Sequence, residues 1–178
     1  MINDKQALAS HIRTVPDFPK RGIMFRDIST LLKDAGAFQQ TVQVLEAHYA
    51  GRKIDKIVCI ESRGFILGAA LALRLKAGFV PIRKRGKLPA ETIREEYALE
   101  YGTDSIEIHR DAIVPGETVL IHDDLLATGG TVSAACKLVE RLGGRIEGLS
   151  FLIELNFLKG RAALGHYDIF SIIQYDAE

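Results

Sequence analysis

The chain has 178 residues, 47% of them apolar and 26% charged, which suits one globular domain with a substantial core. Lys plus Arg and Asp plus Glu number 23 each; this balance argues against a protein built chiefly to grip nucleic acid, without excluding a local basic patch. The two cysteines, Cys59 and Cys136, belong to no CxxC motif or Cys/His cluster, which argues against a disulfide scaffold or a structural zinc site. No signal-peptide core and no run of about 18 apolar residues is present, so the expected setting is cytoplasmic, without a membrane partner.

Residues 1–15 read as a helix with no assigned purpose. Asp17-Phe18-Pro19 and residues 22–28 mix Pro, Gly and apolar side chains, so they should cap the body rather than continue a sheet. Residues 56–61 (KIVCIE) read as a short buried strand, 64–76 as a strongly apolar helix and 78–82 as a strand. Residues 83–109 are too long and too charged for a plain loop. The ends of this segment alternate as a β-hairpin, 97–101 against 105–109, turning at Gly102-Thr103-Asp104. A polar excursion of this kind often serves as a lid. Residues 118–123 read as a strand, 130–142 as a helix stopped by Gly143-Gly144, and 145–155 as a strand. Strands alternating with helices indicate βαβ units and a mostly parallel sheet. The expected fold is open α/β, a single domain over 1–178 with helices flanking the sheet. A small N-terminal hood covers about 1–33 and a flexible lid about 83–109.

The chemically informative stretch is residues 119–131, VLIHDDLLATGGT. An apolar strand places its end at the carboxyl edge of the sheet, where open α/β folds bind ligands. Asp123 and Asp124 come at that end. Ala127, Thr128, Gly129, Gly130 and Thr131 then lead into a helix. Small residues let backbone N–H groups close around an anion, and the helix N-terminus adds donors and positive potential. Carboxylates only accept hydrogen bonds, which suits the paired hydroxyls of a ribose. The pattern asks for a ribose with a 5′-phosphate. The blander alternative is an Asp-rich turn followed by a glycine loop. No GxGxxG is present, and the one Gly-Lys, Gly86-Lys87, lacks the following Ser or Thr of a P-loop. Glu61-Ser62-Arg63-Gly64 lies between a strand and a helix, where backbone donors can also face a phosphate, and Arg63 adds a fork of donors. Arg83, Lys84, Arg85 and Lys87 make a basic cluster that suits either a solvated face or an anion.

Residues 119–131 resemble the phosphoribosyl-diphosphate (PRPP) signature of the type I phosphoribosyltransferases. Residues 22–28 (GIMFRDI), 61–65 (ESRGF), 82–89 (IRKRGKLP) and 99–102 (LEYG), together with Glu154-Leu155 and residues 158–161 (LKGR), are similar to the adenine-using members of that family. The resemblance implies the reaction of adenine with PRPP to give AMP and pyrophosphate. It implies Mg2+ held through substrate, with no direct protein ligand. It assigns pyrophosphate to Ser62, Arg63, Arg83, Lys84 and Lys87. Part of that basic stretch reaches across a dimer interface in the family, so a homodimer is implied. Adenine is assigned to Met24, Phe25, Arg26 and Leu125. Glu100 becomes the candidate general acid/base, since a lid-shielded carboxyl can serve the proton on adenine N9, and Tyr101 helps shut the lid. His122 departs from the aliphatic residue usual there. A strand-end histidine packed or paired at the sheet edge is its expected role, with an influence on the neighbouring acids. Another purine base (guanine, hypoxanthine or xanthine) stays open as acceptor. So does a PRPP-sensing regulator, although no length is spare for a helix-turn-helix module.

Overall fold

The computed structural model describes residues 2–98 and 103–177. Helix α1 (Ile2–Ser10) is followed by two short antiparallel strands, β1 (Arg13–Val15) and β2 (Phe25–Asp27), and one helical turn, α2 (Ser29–Leu32). The helix expected over 1–15 therefore ends at Ser10, because Arg13 to Val15 pair with Phe25 to Asp27. The Arg13 guanidinium sits on the Asp27 carboxylate. Leu8, Ile12, Ile28 and Leu31 are buried and join this segment to the main core. Helix α3 (Ala35–Tyr49) has no counterpart among the sequence expectations. Asp34 caps it, accepting from the Ala37 N–H at 2.8 Å and satisfying one of the unpaired first-turn donors.

The alternating part then runs β3 (Lys56–Ile60), α4 (Gly64–Leu75), β4 (Gly78–Lys84), β5 (Thr92–Ala98), β6 (Thr103–His109), β7 (Thr118–Leu126), α5 (Gly130–Arg141) and β8 (Arg145–Leu155). Two 3₁₀ turns (Asn156–Leu158 and Gly160–Leu164) lead to the last strand, β9 (Ile169–Tyr175), which was also not anticipated. The main sheet has the order β5-β6-β4-β3-β7-β8-β9. Its core pairs, β4 with β3, β3 with β7, β7 with β8 and β8 with β9, are parallel, while β5 and β6 attach antiparallel.

Alternation along β3 shows how the sheet is buried on both faces. Val58 and Ile60 face a core cluster with α5, and Ile57 and Cys59 face a second cluster with α1, α3 and α4. Both cysteines are free and buried. Among the described residues, no helix is long and apolar enough to cross a membrane.

The hairpin differs from expectation in register. Its strands pair from Thr92 opposite His109 to Ala98 opposite Thr103, so Thr103 and Asp104 belong to a strand and not to the turn. Ile93 lies opposite Ile108 and both are buried; this burial selects the register over the alternating 97–101. The stem is fixed to α5, where Lys137 and Arg141 meet Glu95 at 3.1 and 3.2 Å.

Helix α4 lies on β3 and β7 at very short range, and Gly68 permits it. A Cβ at this position would stand 2.1 Å from Cys59 Sγ and 3.3 Å from His122 Cδ2. Helix propensity alone favours Gly68→Ala by about 1 kcal/mol. Overpacking should reverse that sign and cost about 1–3 kcal/mol. Urea unfolding should show this loss, and Cys59→Ala should relieve most of it in the double variant. An equal loss in both backgrounds would place the constraint elsewhere.

Candidate active site

Strand β7 carries the acid pair within its length rather than just beyond it, since the strand runs to Leu126 and not to Asp123. Asp124 is buried, and its Oδ2 lies 2.8 Å from Arg63 Nε. Asp123 is half-buried and its Oδ1 accepts from the Asp124 N–H at 2.8 Å. Gly64 opens α4 against this pair, and a Cβ on it would come within 2.8 Å of Asp123 Oδ1. Burial, and then the neighbouring Asp124 charge, push the Asp123 carboxyl well above the usual carboxylate range. Burial also raises Asp124, but Arg63 pulls the other way. The charge of the pair therefore rests mainly on Asp124, beside the guanidinium, and Asp123 is the easier one to protonate.

Residues 127–131 turn from β7 into α5. Gly129 makes that turn with φ of 86°, a left-handed conformation that glycine adopts without a Cβ penalty. Gly130 starts a 12-residue helix, whose first-turn N–H groups have no partner within the helix. Thr128 is exposed, and Thr131 is half-buried on the first turn.

Ser62 and Arg63 link β3 to α4, and the Glu61–Ser62 peptide is cis. The sequence marks Glu61 only as part of the backbone turn facing a phosphate and gives its carboxylate no role. Its carboxylate is only 6% exposed and gathers the basic stretch around itself. Arg83 Nε donates to it at 2.7 Å, the Lys84 N–H at 3.1 Å, and Lys87 Nζ lies 3.3 Å away. Burial pushes Glu61 up, but these donors outweigh it and leave the carboxyl below its ordinary value. The Lys84 ammonium instead reaches Asp104 of the hairpin at 3.1 Å. Arg83 and Lys87 are thus ordered beside the Ser62–Arg63 turn by one buried acid.

On the other side, Phe25 stacks edge-on with Phe18 at 5.1 Å, and the Arg63 guanidinium lies 5.1 Å from the Phe25 ring centroid. Arg63 therefore touches the aromatic wall and the acid pair together. Met24 is 37% exposed beside this wall. Arg26 lies over the Tyr175 ring at 4.0 Å and donates to Thr14 Oγ1 at 2.5 Å. Leu125, half-buried, packs on the second core cluster. Glu100 and Tyr101 lie outside the described residues.

The model of the phosphoribosyl transferase domain family matches residues 32–157, and the fold is the open, mostly parallel sheet of the type I class. The chain belongs to the phosphoribosyltransferase family. The relatives within it are more particular. The adenine phosphoribosyltransferase of Acidobacterium capsulatum is 57% identical over 170 residues, covering 96% of this chain and 94% of that protein. The crystal structure of adenine phosphoribosyltransferase from Thermoanaerobacter pseudethanolicus matches with a TM-score of 0.94 at 56% identity, covering 96% of this chain and 99% of that one. The Saccharomyces cerevisiae enzyme, complexed with D-2,5-dideoxy-2,5-imino-altritol 1,6-bisphosphate and adenine, matches with a TM-score of 0.93 at 41% identity, covering 97% and 99% of the two chains.

His122 lies directly behind the acids. It is fully buried, with Nδ1 3.2 Å from Ser150 Oγ and Nε2 without a hydrogen-bond partner. Burial pushes its pKa from 6.5 down to about 4. At neutral pH it is an uncharged core residue in the middle of β7, packed as expected but inside the sheet and not at the strand end, because β7 runs on to Leu126. As pH falls, the unfolded chain takes up this proton first, so stability present above pH 6.5 is lost progressively toward pH 4, by about 3 kcal/mol for a shift of this size. His122→Leu should flatten the acid limb of unfolding free energy against pH by that amount. Parallel curves for the two proteins would refute a buried neutral His122.

Proposed function

We propose that this chain is a purine-salvage enzyme that transfers the 5-phosphoribosyl group of PRPP to adenine, giving AMP and pyrophosphate. The observation that carries the reading is the placement of Arg63, which joins an aromatic wall at Phe25 to the Asp123–Asp124 pair. A base site and a ribose site then lie side by side, and the glycine loop into α5 continues the line to a 5′-phosphate.

In this reading Asp123 and Asp124 accept from the ribose hydroxyls and favour the positive charge that builds on the sugar as pyrophosphate leaves. Residues 127–131 hold the 5′-phosphate through backbone N–H groups and the Thr128 and Thr131 hydroxyls. Ser62, Arg63, Arg83, Lys84 and Lys87 face the pyrophosphate, with Glu61 keeping Arg83 and Lys87 in place. Met24, Phe25, Arg26 and Leu125 form the adenine pocket. Glu100 removes the N9 proton of adenine, and Tyr101 closes the lid.

Mg2+ would offset the charge of the leaving pyrophosphate. Among the described residues, no group of three metal-ligating side chains is placed to hold a metal. Two hard carboxylates, one already engaged by Arg63, fit a magnesium ion held through water and substrate oxygens. The homodimer is supported by α4, where Ile66 and Leu73, two turns apart, are 43% and 82% exposed, with Phe79 of β4 at 38%. A second copy of the chain would cover these residues.

The purified protein should form AMP when mixed with PRPP, Mg2+ and adenine, followed by chromatography, and EDTA should abolish the product. Guanine, hypoxanthine and xanthine should give none. IMP or GMP would overturn the base assignment. PRPP binding with no nucleotide from any base would favour the regulator.

A further inference from the structure

The loop over 127–131 does not stand alone, because the backbone of Gly160 lies directly behind it. A Cβ on Gly160 would fall 2.1 Å from the Ala127 carbonyl oxygen and 3.1 Å from the Gly129 nitrogen. A Cβ on Gly129 would fall 2.8 Å from the Gly160 carbonyl oxygen. Two backbones are in contact here, with room for no side chain between them. What presses them together is the next residue. Arg161 donates through Nε and Nη2 to both oxygens of Glu154, at 2.8 and 2.7 Å, and through Nη1 to the Ile169 carbonyl at 3.1 Å. Such a two-pronged pairing fixes direction as well as distance. Glu154 is 3% exposed and also accepts from Ser171 Oγ and from Gln174 Nε2. It lies opposite Leu126 in the β7–β8 ladder, one residue before Ala127. The clamp is therefore anchored to the same strand end from which the loop departs.

We infer that Glu154, Arg161 and Gly160 form a positioning device for the 5′-phosphate loop, in which the ion pair holds the Gly160 backbone as a rigid floor. This rests on the assignment of residues 127–131 to the 5′-phosphate. Glu154 and Arg161 touch neither ribose nor base in this arrangement. Their effect reaches the ligand only through Ala127 and Gly129, so it should be confined to ligands that carry the phosphate.

The test compares AMP, ribose 5-phosphate and adenine binding by calorimetry, with initial rates over PRPP and adenine concentration. In Gly160→Ala the loop must shift by about 1 Å, and PRPP KM and AMP Kd should rise by at least ~10-fold. Adenine Kd and KM should stay within about two-fold, since a loop displacement does not reach the base. Arg161→Met should show the same pattern. Arg161→Lys, which keeps the charge but not the fork, should recover part of the loss. If Gly160→Ala does not fold, the two Arg161 variants carry the comparison. Equal losses for adenine and for AMP, or no loss in a folded Arg161→Met, would overturn the inference. Failure of the unmutated protein to bind AMP and ribose 5-phosphate would instead overturn the phosphate assignment on which the inference rests.

Discussion

Three neighbouring parallel strands each carry a buried carboxylate at or near their carboxyl edge, and one arginine meets each of them. Glu61 follows β3 and takes Arg83; Asp124 lies in β7 and takes Arg63; Glu154 lies in β8 and takes Arg161. The three acids are 6%, 7% and 3% exposed at their side chains. The arginines are 36%, 36% and 45% exposed, so solvent screens the pairs in part, but a buried carboxylate left without its partner is still costly. These pairs add little net stability over an apolar alternative. What they do is fix where loops leave the sheet. Each arginine comes from outside the strand it serves: Arg63 and Arg161 tie connecting turns to the carboxyl edge, and Arg83 ties the end of β4 to it.

The connecting segments are the functional ones. Glu61 orders the basic end of β4 and Lys87 just beyond it. Asp124 orders the turn between β3 and α4, and through Arg63 the aromatic wall of β2. Glu154 orders the turn before β9 and, through Gly160, the loop between β7 and α5. Close packing completes the arrangement. At Gly64 and Gly160 a backbone approaches its neighbour so nearly that no Cβ could stand there. Charge pairing sets direction and glycine sets distance, and together they hold polar groups in a site that faces solvent.

Much of this was legible because the chemistry of residues 119–131 is local. An apolar strand, two acids and a glycine turn into a helix are contiguous, so spacing alone described them. The parallel sheet was legible for the same reason in β3, α4, β4, β7, α5 and β8. Helix α3 escaped although Asp34 and the buried Ala37, Val42, Leu45 and Tyr49 have helical spacing; its interrupting polar residues mask the stripe. The hairpin register escaped because 97–101 alternates while Arg94, Glu95 and Glu96 mask the strand pattern of 92–98, and the burial of Ile93 against Ile108 fixes the pairing. The carboxylate role of Glu61 and the close approach of Gly160 escaped for a deeper reason. Their partners lie in other elements, at Arg83 and Ala127, and a residue's spacing in the chain does not report a contact made across the sheet.

The decisive measurement is a crystal structure of the protein with AMP. The phosphate should lie on the N–H groups of residues 127–131, the ribose hydroxyls on Asp123 and Asp124, and the base against Phe25 and Leu125, with the Arg63–Asp124 and Arg161–Glu154 pairs intact. A phosphate bound instead among Arg83, Lys84 and Lys87, with the base away from Phe25, would contradict this arrangement.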